Sequence, residues 1–140
     1  MGSAAVAGAA ISPDPRVVYV VHNYEPFSYT NQDYSAGGML NYPGMIDGEY
    51  VDKAWLDNLY SDTVDVFRDN HPNLPVAVTE IGVTRWSPNA NQYLADEFSL
   101  LEDRGLNHAI WMYHANWQPF KDGDNAFDFM LGPVYDNHTN

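Results

Sequence analysis

Three short stretches bring together side chains whose types and spacing do chemistry. His22, Asn23, Tyr24 and Glu25 follow one apolar run. Glu80 ends a second, Val76 to Thr79. Trp111, Tyr113, His114 and Trp117 crowd a third. A carboxylate driven to the end of an apolar run is costly unless something nearby needs it. Such a group attacks or stabilises an electron-poor carbon, for example the anomeric carbon of a sugar. Aromatic rings cover the apolar faces of pyranose rings, and imidazole, phenol and carboxylate groups hydrogen-bond hydroxyls. Each residue also has a plainer reading. Glu80 then caps the next loop or pairs with Arg85, His22 is a hydrogen-bonded structural residue, and Trp111 is core.

The elements that must hold these groups are legible as alternation. Val17 to Val21 is a continuous β-branched and aromatic run, expected to be a strand buried on both faces. His22 to Glu49, rich in Tyr, Gly, Asn, Ser and Pro, reads as a long, largely aperiodic loop. From Tyr50 to His71 apolar residues recur at helical intervals, as Val51, Trp55 and Leu59 and as Leu56, Tyr60, Val64 and Phe67. Pro72 and Pro75 close that helix. Val76 to Thr79 is the second strand. A second helix is expected with Ser87 as N-cap, Pro88 in its first position, a stripe of Ala90, Leu94, Phe98 and Leu101, and Gly105 as C-cap. The third strand and its exit loop lie within His108 to Trp117. This order specifies parallel strands joined by helical crossovers. Ligands bind at the carboxyl ends of such strands, where all three chemical stretches fall.

Composition narrows the partner. The net charge of −13, with six Lys and Arg in all, opposes nucleic acid and anionic membrane surfaces. A neutral polysaccharide fits. Without cysteine there is no disulfide, thiolate metal site or Cys nucleophile. No pair of His has metal-ligand spacing, Asp122 to Asn125 lacks the later glutamate of a calcium loop, and no cofactor is implied. Asn137-His138-Thr139 is a glycosylation sequon. No apolar run reaches the ~20 residues of a membrane span. Residues 1–16 are expected to be a flexible segment or an expression scar, ahead of one domain over 17–140.

The stretches "VVYVVHNYEPFSYTNQ", "YPG", "AVTEIGVTRWSPNA" and "HAIWMYHANW" together resemble the carboxyl-terminal part of family 5 glycoside hydrolases, the cellulase-like (β/α)8 barrels. The resemblance runs from about Val17 to the chain end and implies the last three strands of that barrel. By that likeness His22 and Tyr24 match a His-x-Tyr motif that contacts substrate and supports the nucleophile. Glu80 matches the nucleophile of a retaining, endoglucanase-type cleavage of β-1,4-linked glucan. Trp111 matches the sugar platform. Trp117, by its residue type and place after the third strand, is a further candidate substrate contact, with loop packing as its plainer reading. Secretion is implied by the same likeness.

The departure from the family is the acid/base glutamate, which belongs to an Asn-Glu-Pro motif on an earlier strand. Asn23 to Pro26 looks like that motif out of register, leaving Glu25 or a group on a partner chain as the candidate acid/base. Three open strands also leave an apolar face and strand edges uncovered. The expected fold is therefore a partial (β/α) barrel completed by a homodimer. The alternative function is a non-catalytic carbohydrate-binding or remnant domain.

Overall fold

The computed structural model describes residues 11–32, 38–84 and 86–111. In chain order its elements are β1 (Tyr19–Asn23), α1 (Phe27–Thr30), β2 (Gly44–Ile46), β3 (Glu49–Val51) and α2 (Lys53–Tyr60). A π-helical turn (Ser61–Asp65), α3 (Val66–Asn70), β4 (Val76–Ile81), α4 (Ala90–Asp103) and β5 (Asn107–Ile110) follow. The three expected strands form one sheet in the order β1-β4-β5, with both pairings parallel.

One face of this sheet is covered by helices. Val78 and Ile81 of β4 are fully buried there, with Leu56 and Tyr60 of α2, Val64 of the π turn and Leu94, Phe98 and Leu101 of α4. Fully burying one such side chain contributes roughly 1.5–3 kcal/mol, so this face holds the domain together. The other face is open. Val18 and Val20 remain 54% and 56% exposed, which corrects the expectation of a strand buried on both sides. A run of β-branched residues cannot by itself tell a covered face from an uncovered one.

The loop expected over His22 to Glu49 carries more structure than its composition suggests. It contains α1 and a hairpin of β2 and β3, paired antiparallel. Asp47 and Gly48 join those strands, both at positive φ (51° and 88°), the conformation a tight primed turn requires. The Asp-Gly pair was the available signal. Val51 accordingly belongs to β3, and the helix begins after Asp52, whose carboxylate accepts the Trp55 amide at 2.9 Å. Ser87 is not the cap of α4. Its hydroxyl bonds the Tyr29 carbonyl, and Asn89, in the left-handed region, precedes the helix. Arg104, after α4, pairs with Asp57 at 2.6 Å and Asp65 at 3.0 Å, tying that end to the preceding helical stack.

The residues between Val78 and Ile81 break strand periodicity. Val78 and Ile81 are both in the core although three positions apart. In both ladders the register shifts here: Val21 faces Val78 but His22 faces Glu80, and Val78 faces His108 while Ile81 faces Ile110. β4 therefore carries one extra residue, a β-bulge. Strict alternation from Val78 would send Glu80 into the helical layer. The bulge turns it toward the open face, as such irregularities do beside active sites.

Candidate active site

Glu80 thus lies within β4, near its carboxyl end, opposite His22 of β1. Alternation along β1 sends His22 and Tyr24 to one side and Asn23 to the other. The Tyr24 hydroxyl donates to Glu80 Oε2 at 2.8 Å, and His22 Nδ1 stands 3.4 Å from Oε1. One carboxylate oxygen is held by a phenol and the other faces an imidazole. Glu80 keeps about a quarter of its side-chain surface in solvent (27%), so a ligand can reach it. Burial, then the bond to Glu80 and its charge, push the Tyr24 phenol well above its ordinary range. Tyr24 therefore stays a neutral donor at any working pH.

Trp111 follows β5. Its amide donates to the Ile81 carbonyl at 2.8 Å, and its side chain is 44% exposed. The alternation of β5 places it on the same open face as Ala109. Gly82 makes this approach feasible. A Cβ there would lie 2.5 Å from the Trp111 carbonyl oxygen and 3.5 Å from the Tyr24 ring. The four residues Tyr24, Glu80, Gly82 and Trp111 thus form one packed rim.

Glu25 follows Tyr24 and has partners of its own. Its carboxylate accepts the Phe27 amide at 3.3 Å, and its carbonyl accepts the Tyr93 hydroxyl at 2.7 Å. Among the described residues, the polar partners of the Glu80 carboxylate are Tyr24 and His22, and no group of three metal-ligating side chains occurs. Tyr113, His114, Trp117, Asp122 to Asn125, the sequon at Asn137 and Arg85 lie outside the described residues.

Sequence reasoning missed what stands beneath the site. Asn23, between His22 and Tyr24, donates to Glu97 Oε1 at 2.9 Å, and the Tyr60 hydroxyl donates to Oε2. Glu97 is fully buried. Burial raises its pKa to about 7, and the bond from Tyr60, the nearby Tyr93 hydroxyl and the bond from Asn23 offset only part of that rise. The available signal was its place on the apolar stripe of α4, three residues after Leu94 and one before Phe98.

A parallel sheet with helices on one face and a carboxylate near its carboxyl end is the architecture of a partial (β/α) barrel. The model of the cellulase family, glycosyl hydrolase family 5, matches residues 2–117, and the chain belongs to that family. Among solved structures it is similar to cellulose synthase subunit Z (CcsZ) from Clostridioides difficile, with a TM-score of 0.66 at 19% identity. That match covers 89% of this chain and 42% of the other. An endoglucanase matches with a TM-score of 0.67 at 16% identity, over 89% and 41%. Cel5A from Thermotoga maritima, solved with cellobiose, matches with a TM-score of 0.61 at 14% identity, over 84% and 39%. The chain spans about two-fifths of the length of these structures. No curated protein matches it.

Proposed function

We propose that the chain carries the nucleophile half of a retaining glycoside hydrolase site for β-1,4-linked glucan, with Glu80 as the nucleophile. The observation that carries this reading is Glu80 held between the Tyr24 hydroxyl and His22 at an open strand end. Glu80 attacks the anomeric carbon and forms a glycosyl ester, which water then hydrolyses. Tyr24 orients the carboxylate, His22 and Trp111 contact the sugar, and Trp117 extends the binding surface. A cellulase family match supports the substrate class, as do an endoglucanase and a cellobiose-bound enzyme of the same fold. The family likeness also supports secretion.

A retaining site needs a second carboxyl ~5 Å from the first to protonate the leaving group. In our reading it arrives on the surface that covers the open face bearing Val18, Val20 and Trp111. That surface is either a second copy of the chain or the remaining strands of a complete barrel. The two-fifths share of each solved structure favours the latter. A solution mass of twice 15.8 kDa assigns the role to a second copy.

The nucleophile is tested without the acid. A 2-deoxy-2-fluoro-cellobioside with a dinitrophenyl leaving group needs no proton donor. The bond from Glu80 to the anomeric carbon forms as the phenolate leaves with its electron pair, and the fluorine slows hydrolysis of the ester. The expected result is one glycosyl mass increment on the peptide containing Glu80, absent from Glu80→Gln. A folded protein with no increment, or with it elsewhere, overturns the assignment and favours a carbohydrate-binding module.

A further inference from the structure

We propose that Glu97 is a positioning residue for the site, acting through Asn23 on the segment that carries His22 and Tyr24. This rests on the reading of Glu80 as nucleophile and extends it into the helical layer.

The geometry is a chain of bonds with no loose link. Asn23 has two functional ends. Its amide nitrogen donates to Glu97 Oε1 at 2.9 Å and to the Tyr60 hydroxyl oxygen at 3.0 Å. Its carbonyl oxygen accepts the Glu25 amide at 3.1 Å, which folds the chain over immediately after Tyr24. The Tyr93 hydroxyl fixes the Glu25 carbonyl. The Thr30 hydroxyl fixes the Tyr24 carbonyl at 2.5 Å, and the Thr84 amide in turn bonds the Thr30 carbonyl at 2.8 Å. The backbone on both sides of Tyr24 is thus clamped, and Glu97 anchors the β1 side of the clamp. An amide nitrogen cannot hold its orientation in a buried space without an acceptor. Glu97 is its charged acceptor, beside the Tyr60 hydroxyl, and the second oxygen of Glu97 accepts the hydrogen bond that the Tyr60 hydroxyl donates.

Such an arrangement exceeds what packing alone demands. An apolar residue at this place on the α4 stripe would fill the space, but would leave the Tyr60 hydroxyl without an acceptor and one of the two Asn23 amide hydrogens unpaired. A carboxylate with two donors instead fixes Asn23, and Asn23 fixes a strand end whose neighbouring side chains hold Glu80. The surrounding groups are Tyr60 on α2, Tyr93 and Asp96 on α4, and Asn23 on β1. The Arg104 guanidinium stands 5.5 Å over the Tyr60 ring, and His108 of β5 stacks on Phe98 one residue away. Ionisation of Glu97 then changes which partners donate. In the ionised form both oxygens accept, and protonation obliges one donor to turn.

The experiment is a pH titration by NMR, reading the side-chain carboxyl carbon of Glu97, the backbone amides of Tyr24 and Glu25, and the ring of His22. In the wild-type protein the amide shifts of Tyr24 and Glu25 should follow the carboxyl step of Glu97. That step should vanish from both amides in Glu97→Gln. The same variant should bind cellotetraose roughly tenfold more weakly, through displacement of the site and not through lost contacts. Unchanged Tyr24 and Glu25 shifts through the Glu97 step in the wild type, which requires no variant to fold, overturn the proposal. So does a folded Glu97→Gln with unaltered site resonances. Wild-type protein that binds no oligosaccharide while the amides still follow Glu97 refutes the sugar site and leaves the coupling standing.

Discussion

Glu97 also makes a prediction about stability that can be worked through from its surroundings. In the unfolded chain its carboxyl titrates near 4.5, and burial among Tyr60, Tyr93 and Asn23 raises that to about 7. Between these values the folded protein holds a proton that the unfolded chain has released. Stability therefore falls as pH rises through this window. The favourable contribution is complete below the unfolded value and gone above the folded one. One pKa unit is about 1.4 kcal/mol, so the span amounts to about 3 kcal/mol. Every other carboxyl titrates too, and their summed slopes obscure one residue in the wild type alone. Glu97→Gln removes this step and leaves the others. The assay is urea unfolding of both proteins at about pH 4.5, 5.5, 6.5 and 7.5, reading the difference in unfolding free energy. The wild type should lose about 3 kcal/mol relative to the variant across that range, whatever constant offset the substitution adds. A difference that stays constant would refute the reasoning, because the buried carboxyl would then have kept an ordinary affinity for its proton. A change of the opposite sign would mean that the donors from Asn23 and Tyr60 outweigh burial.

Three further outcomes follow from other contacts. Tyr24→Phe removes one charge-assisted hydrogen bond to Glu80 worth about 1.5–3 kcal/mol, so the rate of 2-fluoroglycoside trapping should fall about tenfold or more with the fold retained. Gly82→Ala places a methyl 2.5 Å from the Trp111 carbonyl oxygen, and urea unfolding should show a loss of about 1–3 kcal/mol. Arg104→Leu leaves Asp57 and Asp65 without their guanidinium. Thermal unfolding should register about 2 kcal/mol of destabilisation, between the exposed and buried limits for ion pairs.

Much of the fold was legible because it rests on alternation that leaves a mark. The two helices and three parallel strands follow from periodic Leu, Tyr, Phe and Val, with Pro72 and Pro75 as a stop. The family was legible from His22, Tyr24, Glu80 and Trp111 in register, and the family match bears it out. The geometry of the site was less so. That Tyr24 would reach Glu80 depends on a bulge, which one strand read alone does not reveal, because register belongs to a pair. The hairpin around Asp47 and Gly48 was hidden inside a stretch whose composition suggested a loop. Burial on one face only was hidden as well, since Val18 and Val20 are equally apolar whether covered or not. Glu97 was overlooked because charge patterning assigns a helical glutamate to solvent. Its partners come from β1 and α2, distant in sequence.

The bulge in β4 makes the site depend on a count as well as on residue types. Between Val78 and Ile81 stand two residues where a regular strand face would allow one, or three. Removing Thr79 would restore an even ladder and leave Glu80 on the open face and Ile81 in the core, because the two would then alternate directly from Val78. The paired strand β1 has no such residue to spare. Removing Val21 would turn either Val20 or the pair His22 and Tyr24 to the wrong side of the sheet. That change alters none of the chemically active letters, yet it would separate the nucleophile from its partners, and a position-by-position inventory of those letters would still read as intact. Across this pairing the count of spacers carries as much of the functional information as the glutamate they aim.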